Sequence, residues 1–479
     1  MSRQRTPSLN SRLDKLHRSA GALFGVFLFV ILFTGCWSLG SDALRLWWAH
    51  APLSGEQLPL EKLIELQPDA TMIQLPQTHS PVITFCQGRG ECGLSYSAIS
   101  GKAIVSGSPA MWLVTLHKNL FIDFPGRVFI SLFGFAFAVL LITGSLIQRH
   151  RLRSMMRVPR LTHLTLFLRD VHSWLGLWSS PWLVLFAVTG ALSGLGALGT
   201  VSLAQRAAPD DPQVIMKTLM GEFEPLDAPL EVSAKTVSAA LATLQQVATN
   251  FIPQTAMLQD GQWVIGGVRE GQLSTSNFEQ YLFNSQTEQI IAIRDSAKKG
   301  GWTRAFIAIQ PLHYGQYQWL SKIDNTLSTL HFLAGVSALL LVSSGLGMWC
   351  WRRMNSLASR LIVGSCGGLL FATSVLLASM PWALLQQPEE FFILWGIACI
   401  AGGMVKNAQH SLMLFTLLSA LLLLSAFITV YGFGSLPFSR IDLVLLCSGL
   451  GLLFILFSCQ KLSYTPKRVR SEYERSITK

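Results

Sequence analysis

Apolar runs long enough to cross a lipid bilayer dominate this sequence. A spanning helix needs about 20 mostly apolar residues, and eight runs of about that length are separated by polar segments. They lie near 19–40, 127–147, 174–199, 326–351, 358–380, 390–406, 410–433 and 440–460. Charged residues make up only 13% of the chain, against about a quarter in soluble proteins. We therefore predict an α-helical integral membrane protein with about eight spans, of which 390–406 is the shortest.

Basic residues predict which ends of these runs face the cytoplasm. The clusters are Arg3, Arg5, Arg12, Lys15 and Arg18; Arg149, Arg151, Arg153, Arg157, Arg160 and Arg169; Arg352, Arg353 and Arg360; and Lys461, Lys467, Arg468 and Arg470. With eight spans all four clusters lie on one side, which the positive-inside rule makes cytoplasmic. We expect a multi-pass protein of a bacterial inner membrane with both termini in the cytoplasm. These loops account for the net charge of +11, so no nucleic-acid partner is expected.

The first apolar run is expected to be a retained anchor. It is too long for the core of a signal peptide, and no clear cleavage site follows it. The segments 41–110 and 200–320 then face the periplasm.

Both outward segments have the pattern of small α+β modules. In the second, 231–248 predicts an amphipathic helix, and strand-like runs follow it with an Asp260-Gly261 turn signal between two of them. The first has a short helix near 59–66 and weaker strand signals. Because each module lies between two spans, the pattern indicates an internal duplication of helix, outer module and helix. Cys86 and Cys92 lie together in the first module, where an oxidising compartment would allow a disulfide.

These features divide the chain into six segments. They are 1–40 with the cytoplasmic N-terminus and span 1; 41–110 with periplasmic module 1; 111–199 with spans 2 and 3 and a basic loop; 200–320 with periplasmic module 2; 321–356 with span 4; and 357–479 with a four-span extension and a cytoplasmic tail. The extension has no paired histidines, so we assign it no chemistry.

Five of the ten histidines form a pattern across the duplicated units. His17 and His172 each open an apolar run with His-x-x-x-Gly, and Thr-Gly follows seventeen residues after each histidine. On the outer side, His117 precedes span 2 and His313 precedes span 4. His331 lies inside span 4, about 27 Å from its cytoplasmic end at 1.5 Å per residue. The other histidines, His50, His79, His150, His163 and His410, are interpreted as loop or interfacial residues.

Paired histidines near both faces of a helix bundle fit two stacked b-type haems. Histidines in or beside a bilayer are costly unless they are paired or ligated, and each haem iron takes one imidazole from each of two facing helices. Glycines one turn after three of the histidines, Gly21, Gly176 and Gly335, leave room for a flat macrocycle. Two axial imidazoles leave no open position for a substrate, so the pattern predicts one-electron transfer.

No P-loop and no G-x-G-x-x-G in a strand–helix context occurs in the sequence. The chain therefore has no recognisable nucleotide or flavin module, and its electron donor is expected to be external, either a membrane quinol or a cytoplasmic reductase.

Four motifs in this order resemble the PepSY-associated transmembrane family. They are "HRSAG…FTG", "LHKNLF…PGR…ITG", "RDVHSWLG…SPW…AVTG" and "PLHYG…SGLGMWCWRR", within residues 10–355. The resemblance implies a four-helix core, PepSY-like periplasmic modules, two haems, and an oxidoreductase that reduces the ferric ion of a siderophore in the periplasm and releases the iron.

Carried onto this chain, the resemblance makes His17 and His172 the inner ligands and pairs His117 with His313 or His331 outside. Repeat spacing favours His313, and depth in the membrane favours His331. Two features depart from the family pattern: Trp182 and Leu183 follow the proline of span 3 where relatives have a histidine nearby, and His331 itself is atypical.

Outer aromatic and cationic side chains could form a docking surface for the siderophore. They are Trp302, Arg304, Tyr314, Tyr317, Trp319 and Lys322, and an interfacial belt is the alternative interpretation. Two other functions stay open: a non-enzymatic PepSY-type regulator with structural histidines, and a siderophore or haem transporter. Against a transporter, the predicted spans lack the broken Pro/Gly helices and the buried carboxylates that ion coupling needs.

Overall fold

The computed structural model describes residues 8–77, 80–88, 91–104, 109–148, 158–211, 214, 215, 218, 221–379, 384–433 and 440–463. His79, His150 and much of the basic loop that follows span 2 lie outside the described residues. The chain forms two compact units. Unit 1 comprises 1–36, 135–184 and 334–479, and unit 2 comprises 37–134 and 185–333.

Helices make up most of the described chain. They are α1 (Leu9–Ser38), α2 (Ser41–Trp48), α3 (Leu60–Ile64), α4 (Pro109–Asn119), α5 (Asp123–Gln148), α6 (Leu164–Trp178), α7 (Ser180–Ala207), α8 (Val237–Val247), α9 (Gly301–Tyr314), α10 (Asp324–Trp351), α11 (Leu357–Ala378), α12 (Pro388–Met404), α13 (Ala408–Phe433) and α14 (Arg440–Ser463).

Among the described helices, seven are long and apolar enough to cross a bilayer. They are α1, α5, α7, α10, α11, α13 and α14. The expected run 390–406 forms α12, a helix of 17 residues, so an eighth span stays a prediction. Many large apolar side chains of these helices are exposed, for example Leu23, Phe135 and Ile142. Such a surface suits lipid, and the chain is a multi-pass membrane protein.

The predicted third span is interrupted. The run 174–199 divides between α6, which ends at Trp178, and α7, which begins at Ser180. Pro181 explains the break, because proline has no N–H for the helical ladder and disfavours helical geometry in the residue before it. His172 therefore lies on α6, and the spanning helix after it is α7.

The two outward segments join into one antiparallel sheet within unit 2. The strands are β1 (Met72–Gln74), β2 (Val82–Gln87), β3 (Glu91–Ser97), β4 (Ala103–Ile104), β5 (Glu224–Glu231), β6 (Phe251–Gln259), β7 (Gln262–Arg269), β8 (Gln280–Asn284) and β9 (Gln289–Arg294). Their order is β4-β3-β2-β1-β6-β7-β8-β9-β5. The modules meet where β1 pairs with β6, with Ile73 opposite Ala256, so the expectation of two modules is corrected to one continuous nine-stranded sheet.

Local signals placed several of these elements correctly. Asp260 and Gly261 both have positive φ, 52° and 76°, as a two-residue hairpin turn between β6 and β7 requires. Cys86 and Cys92 form the expected disulfide between β2 and β3. The predicted helix 231–248 begins later, at Val237, because the chain up to Glu231 is strand β5 paired with β9.

Helices α3 and α8 cover one face of the sheet. Leu63 on α3 and Leu241 on α8 are fully buried in one apolar cluster with Ile73, Ile83 and Phe283 of the strands. Thr236 caps α8 by accepting a hydrogen bond from the backbone N–H of Ala239. The burial of large aliphatic side chains on both layers fixes the sheet relative to its helices.

The C-terminal helices of unit 1 pack through small residues. A Cβ added at Gly364 on α11 would lie 2.8 Å from the carbonyl oxygen of Cys399 on α12. Glycine at such a position lets two membrane helices approach closely. This contact explains the close packing of α11 against α12.

Candidate functional site

His17 and His172 face each other within unit 1. His17 lies on α1 and His172 on α6, and their ring centroids are 6.1 Å apart with an angle of 74° between the ring planes. We call this the unit 1 pair. The structure thus brings together the two histidines that opened the repeated motifs, although they are 155 positions apart in the sequence.

Hydrogen bonds fix the ring proton of His17. Its Nδ1 lies 3.0 Å from Oγ1 of Thr143 on α5, and the single proton of that hydroxyl is shared between the carbonyl oxygens of Val139 and Leu140. The Thr143 oxygen must therefore accept, so Nδ1 carries the proton and Nε2 has a free lone pair.

His172 is held in the same tautomer. Its Nδ1 lies 2.9 Å from the carbonyl oxygen of Leu341 on α10 and 3.2 Å from Oγ of Ser344. A carbonyl only accepts hydrogen bonds, so Nδ1 must donate. Both rings of the unit 1 pair consequently offer an unprotonated Nε2, the form in which histidine ligates a metal.

Glycines make room for the two rings. A Cβ added at Gly144, next to Thr143, would lie 3.2 Å from Cε1 of His17. A Cβ added at Gly345, next to Ser344, would lie 3.2 Å from Cε1 of His172. Each ring therefore packs on a hydroxyl–glycine dipeptide of a spanning helix, the hydroxyl orienting Nδ1 and the glycine admitting the ring.

His117 and His313 form a second pair within unit 2. His117 lies on α4 and His313 on α9, and their ring centroids are 6.2 Å apart with only 15° between the planes. We call this the unit 2 pair. Of the two alternatives left open by the sequence, the ring that faces His117 is that of His313, as the repeat spacing suggested.

The same dipeptide holds His313. Its Nδ1 lies 2.9 Å from Oγ1 of Thr189 on α7, which itself donates to the carbonyl oxygen of Leu185. Nδ1 of His313 must therefore donate, leaving Nε2 unprotonated. Gly190 follows, and a Cβ there would lie 3.4 Å from Cε1 of His313.

Burial keeps the His313 imidazole neutral. It lowers the pKa of His313 to about 3, and the neighbouring His117, His331 and Arg127 lower it further. A neutral imidazole at every ordinary pH is what a metal ligand requires.

His331 lies beside the unit 2 pair without joining it. Its ring is almost completely buried, at 1% exposure, and contacts Phe186 edge to face with 4.8 Å between centroids. Its Nδ1 lies 3.1 Å from the hydroxyl of Tyr317. Depth in the membrane favoured His331 as the partner of His117; its ring contacts Tyr317 and Phe186, and ligation by His331 stays a prediction.

Both pairs have the spacing that two axial ligands need. Two metal–imidazole bonds of about 2.0–2.1 Å each, with about 1.1 Å from each nitrogen to its ring centre, add to about 6.3 Å. The observed separations are 6.1 and 6.2 Å. Among the described residues no three His, Cys, Asp or Glu side chains converge as a metal-binding group. Two imidazoles are too few ligands for a bare metal ion, but they complete the coordination of a metal that already has four ligands from a macrocycle.

Two of the three glycines named from the sequence, Gly21 and Gly176, face leucine side chains, and the role of all three toward a haem stays a prediction. The nearest atom to a Cβ at Gly21 is 3.9 Å away, and at Gly176 it is a methyl of Leu341 at 3.4 Å. Gly335 is buried. The Thr-Gly that follows His172 in the sequence, Thr189-Gly190, is one of these hydroxyl–glycine dipeptides, but the sequence did not show that it receives the ring of His313.

The predicted docking residues divide into exposed and buried groups. Trp302 is 92% exposed, and Arg304, Tyr314 and Lys322 are exposed as well. Tyr317 is buried at 4% exposure, so it is not part of a surface. Trp319 is partly buried. His50 and His410 are exposed, and His163 lies at the N-terminus of α6.

Comparison with known proteins identifies relatives of this chain. Residues 15–353 match the family described as "PepSY-associated TM region". The chain is also 40% identical over 308 residues to "Uncharacterized protein PA4219" of Pseudomonas aeruginosa, a stretch that covers 60% of this chain and 78% of the relative.

Proposed function

Because the chain belongs to the PepSY-associated transmembrane family, we propose that it is a two-haem oxidoreductase of the bacterial inner membrane that reduces ferric siderophores in the periplasm. The observation that carries the proposal is the presence of two histidine pairs with ring separations of 6.1 and 6.2 Å. Both values suit a metal bound between two imidazoles.

The residues that would hold the two b-type haems are the four paired histidines. His17 and His172 would be the axial ligands in unit 1, and His117 and His313 those in unit 2. A haem bound in this way supplies one-electron chemistry with no open axial position. Thr143, Thr189 and Ser344 hold the ring protons on Nδ1, which keeps Nε2 available and fixes ring orientation.

The substrate in this proposal is an Fe(III) ion held by siderophore oxygens. One electron added to it gives Fe(II), for which hard oxygen ligands have a lower affinity, and the iron is released. Support for a docking surface comes from α9, which carries His313 and also the exposed Trp302, Arg304 and Tyr314. Cationic side chains attract an anionic chelate, and aromatic side chains give it an apolar contact surface.

The electron donor in this proposal is external, a membrane quinol or a cytoplasmic reductase. In this proposal both termini face the cytoplasm, so the N-terminus of α1 and the start of α6 would lie on the donor side. An Arg160–Asp170 ion pair with two hydrogen bonds, of 2.7 and 2.9 Å, holds the start of α6.

An absorption spectrum of the purified protein tests the cofactors. We expect a reduced-minus-oxidised spectrum of low-spin b-type haem and about two haems per chain. His17→Ala and His117→Ala should each lower this to about one, while His410→Ala, at an exposed histidine, should leave two. A colourless, folded protein would refute the proposal and favour a PepSY-type regulator.

A reduction assay tests the substrate. The protein is placed in vesicles with a quinol as donor, and a ferric siderophore is added with a chromogenic chelator specific for Fe(II). We expect Fe(II) formation that depends on both His17 and His117. If haem-loaded protein reduces no ferric chelate with either kind of donor, the substrate proposal is wrong. The protein would then transfer electrons to another acceptor.

A further inference from the structure

We propose that His331 and Tyr317 position the backbone and ring of His313, and thereby set the ligand geometry of the unit 2 haem. The inference rests on the proposed function, because it assigns these two residues a role toward a haem ligand. It gives His331 a task other than ligation and concerns a buried network that lies wholly within unit 2.

The last turn of α9 needs support from outside the helix. Pro311 lies inside α9 and lacks the N–H that would bond one turn back, so the helix has lost one of its own hydrogen bonds there. His313 follows two residues later. Gly315 then ends the helix with a left-handed φ of 65°.

Helix α10 supplies that support at two positions. Oγ of Ser328 donates a hydrogen bond of 3.1 Å to the carbonyl oxygen of Gly315. The ring of His331, one turn further along α10, packs directly on Gly315, where an added Cβ would lie 3.0 Å from Cγ of the ring. Ser328 and His331 therefore hold both sides of the turn that ends α9.

The ring of His331 is itself held on three sides. Nδ1 lies 3.1 Å from the Tyr317 hydroxyl, and the ring packs against Phe186. A Cβ added at Gly315 would lie 2.9 Å from Cδ2 of His331, so only glycine allows the ring to lie this close. Burial raises the pKa of Tyr317 to about 12, so its hydroxyl keeps the proton that it shares with His331.

The consequence for His313 is an imidazole with little freedom to rotate. Thr189 holds its Nδ1 from α7, and His331 of α10 packs on Gly315, two residues after His313. Together they account for ring planes only 15° from parallel with His117. The relative orientation of two axial imidazoles changes the electron paramagnetic resonance spectrum of low-spin ferric haem, so the network has a measurable signature.

Variants of the haem-loaded full-length protein test this role. Tyr317→Phe keeps the packing and removes the hydroxyl, and His331→Gln keeps a hydrogen-bonding side chain of smaller size. We expect both to retain about two haems per chain, to alter the resonance signal of one haem, and to shift the midpoint of one of two redox transitions. Transfer of that haem to apomyoglobin should be about 10-fold faster, the lower end of the effect of losing an outer-shell partner.

His410→Gln, an exposed histidine exchanged for the same residue, is the matched control and should change none of these quantities. Loss of one haem in both His331→Gln and His331→Phe, with Tyr317→Phe unaffected, would overturn the proposal by making His331 a ligand. Unchanged signals, midpoints and transfer rates in a two-haem Tyr317→Phe and His331→Gln protein would overturn it as well. A wild-type protein without haem would instead refute the proposed function.

Discussion

The His17–His172 and His117–His313 pairs have nearly the same ring separation, 6.1 and 6.2 Å, but different angles between the rings, 74° and 15°. In unit 1 the histidines lie on α1 and α6, and their hydrogen-bond partners lie on spanning helices α5 and α10. In unit 2 both histidines lie on helices that do not span, α4 and α9. The common separation is the one that the proposed metal between two imidazoles would require, whereas the angle between the rings differs from one pair to the other.

The largest expected effect comes from filling the space beneath the rings. Gly144→Val and Gly345→Val should each remove one haem per chain, because even a Cβ at these positions lies 3.2 Å from a histidine ring. Haem content per chain measures the effect. Gly396→Val is the matched control, since nothing lies within 4 Å of a Cβ there.

The corresponding alanine variants sharpen the comparison between the pairs. Gly190→Ala should be tolerated better than Gly144→Ala, because its Cβ would be 3.4 Å from His313, an ordinary contact. Equal haem loss in the two variants would contradict the difference in packing.

The next effect concerns the hydroxyls that orient the rings. Thr189→Val and Thr143→Val should weaken haem binding about 10- to 100-fold, because Nδ1 loses the acceptor that fixes its proton. Transfer of haem to apomyoglobin measures the rate of loss. Thr189→Ser and Thr143→Ser keep the hydroxyl and should behave like the wild type; if they lose haem as fast as the valine variants, the methyl group and not the hydrogen bond is responsible.

The angles themselves predict two distinguishable haems. The near-parallel unit 2 pair should give a rhombic low-spin ferric resonance spectrum, and the near-perpendicular unit 1 pair a strongly anisotropic one. Low-temperature electron paramagnetic resonance of the wild type and of His17→Ala checks this, since the variant should retain only the rhombic signal. A single type of signal from a protein with two haems would contradict the difference in ring angle between the two pairs.

The smallest effect concerns the ion pair at the start of α6. Hydrogen bonding to Arg160 lowers the pKa of Asp170 in the folded protein, so its contribution is present above the unfolded pKa of about 3.9 and is lost as the pH falls through the folded value. Because Arg160 is about half exposed, the pair is worth about 0.2–1 kcal/mol. Asp170→Asn should lower the thermal midpoint slightly at pH 7 and not at the lowest accessible pH. Glu61→Gln, at an exposed carboxylate, is the control.

Local patterns in the sequence predicted most of the helices and the Asp260-Gly261 turn. Apolar runs located the spanning helices because length and composition decide whether a helix suits a bilayer. Asp260-Gly261 located a hairpin because few residue pairs adopt two consecutive positive φ values. The break before Pro181 had a local signal too, but the long apolar run concealed it.

The non-local features could not be obtained in this way. The pairing of β1 with β6 joins strands about 180 residues apart, and nothing in either strand specifies that partner. Counting residues along span 4 predicted correctly that His331 lies within α10, but it did not show the direction of the ring. The ring turns toward Tyr317, which the sequence suggested as a surface residue and the structure buries.

The pairing of β1 with β6 also determines when the sheet can be completed during translation. Three residue pairs, Met72 to Gln74 with Thr255 to Met257, close one edge of the first strand. A ribosome adding about 5–20 residues per second needs on the order of 10–35 s to make the chain between them. Throughout that interval the early hairpins have an open edge, so the completion of the sheet depends on a segment made after two later spanning helices, α5 and α7.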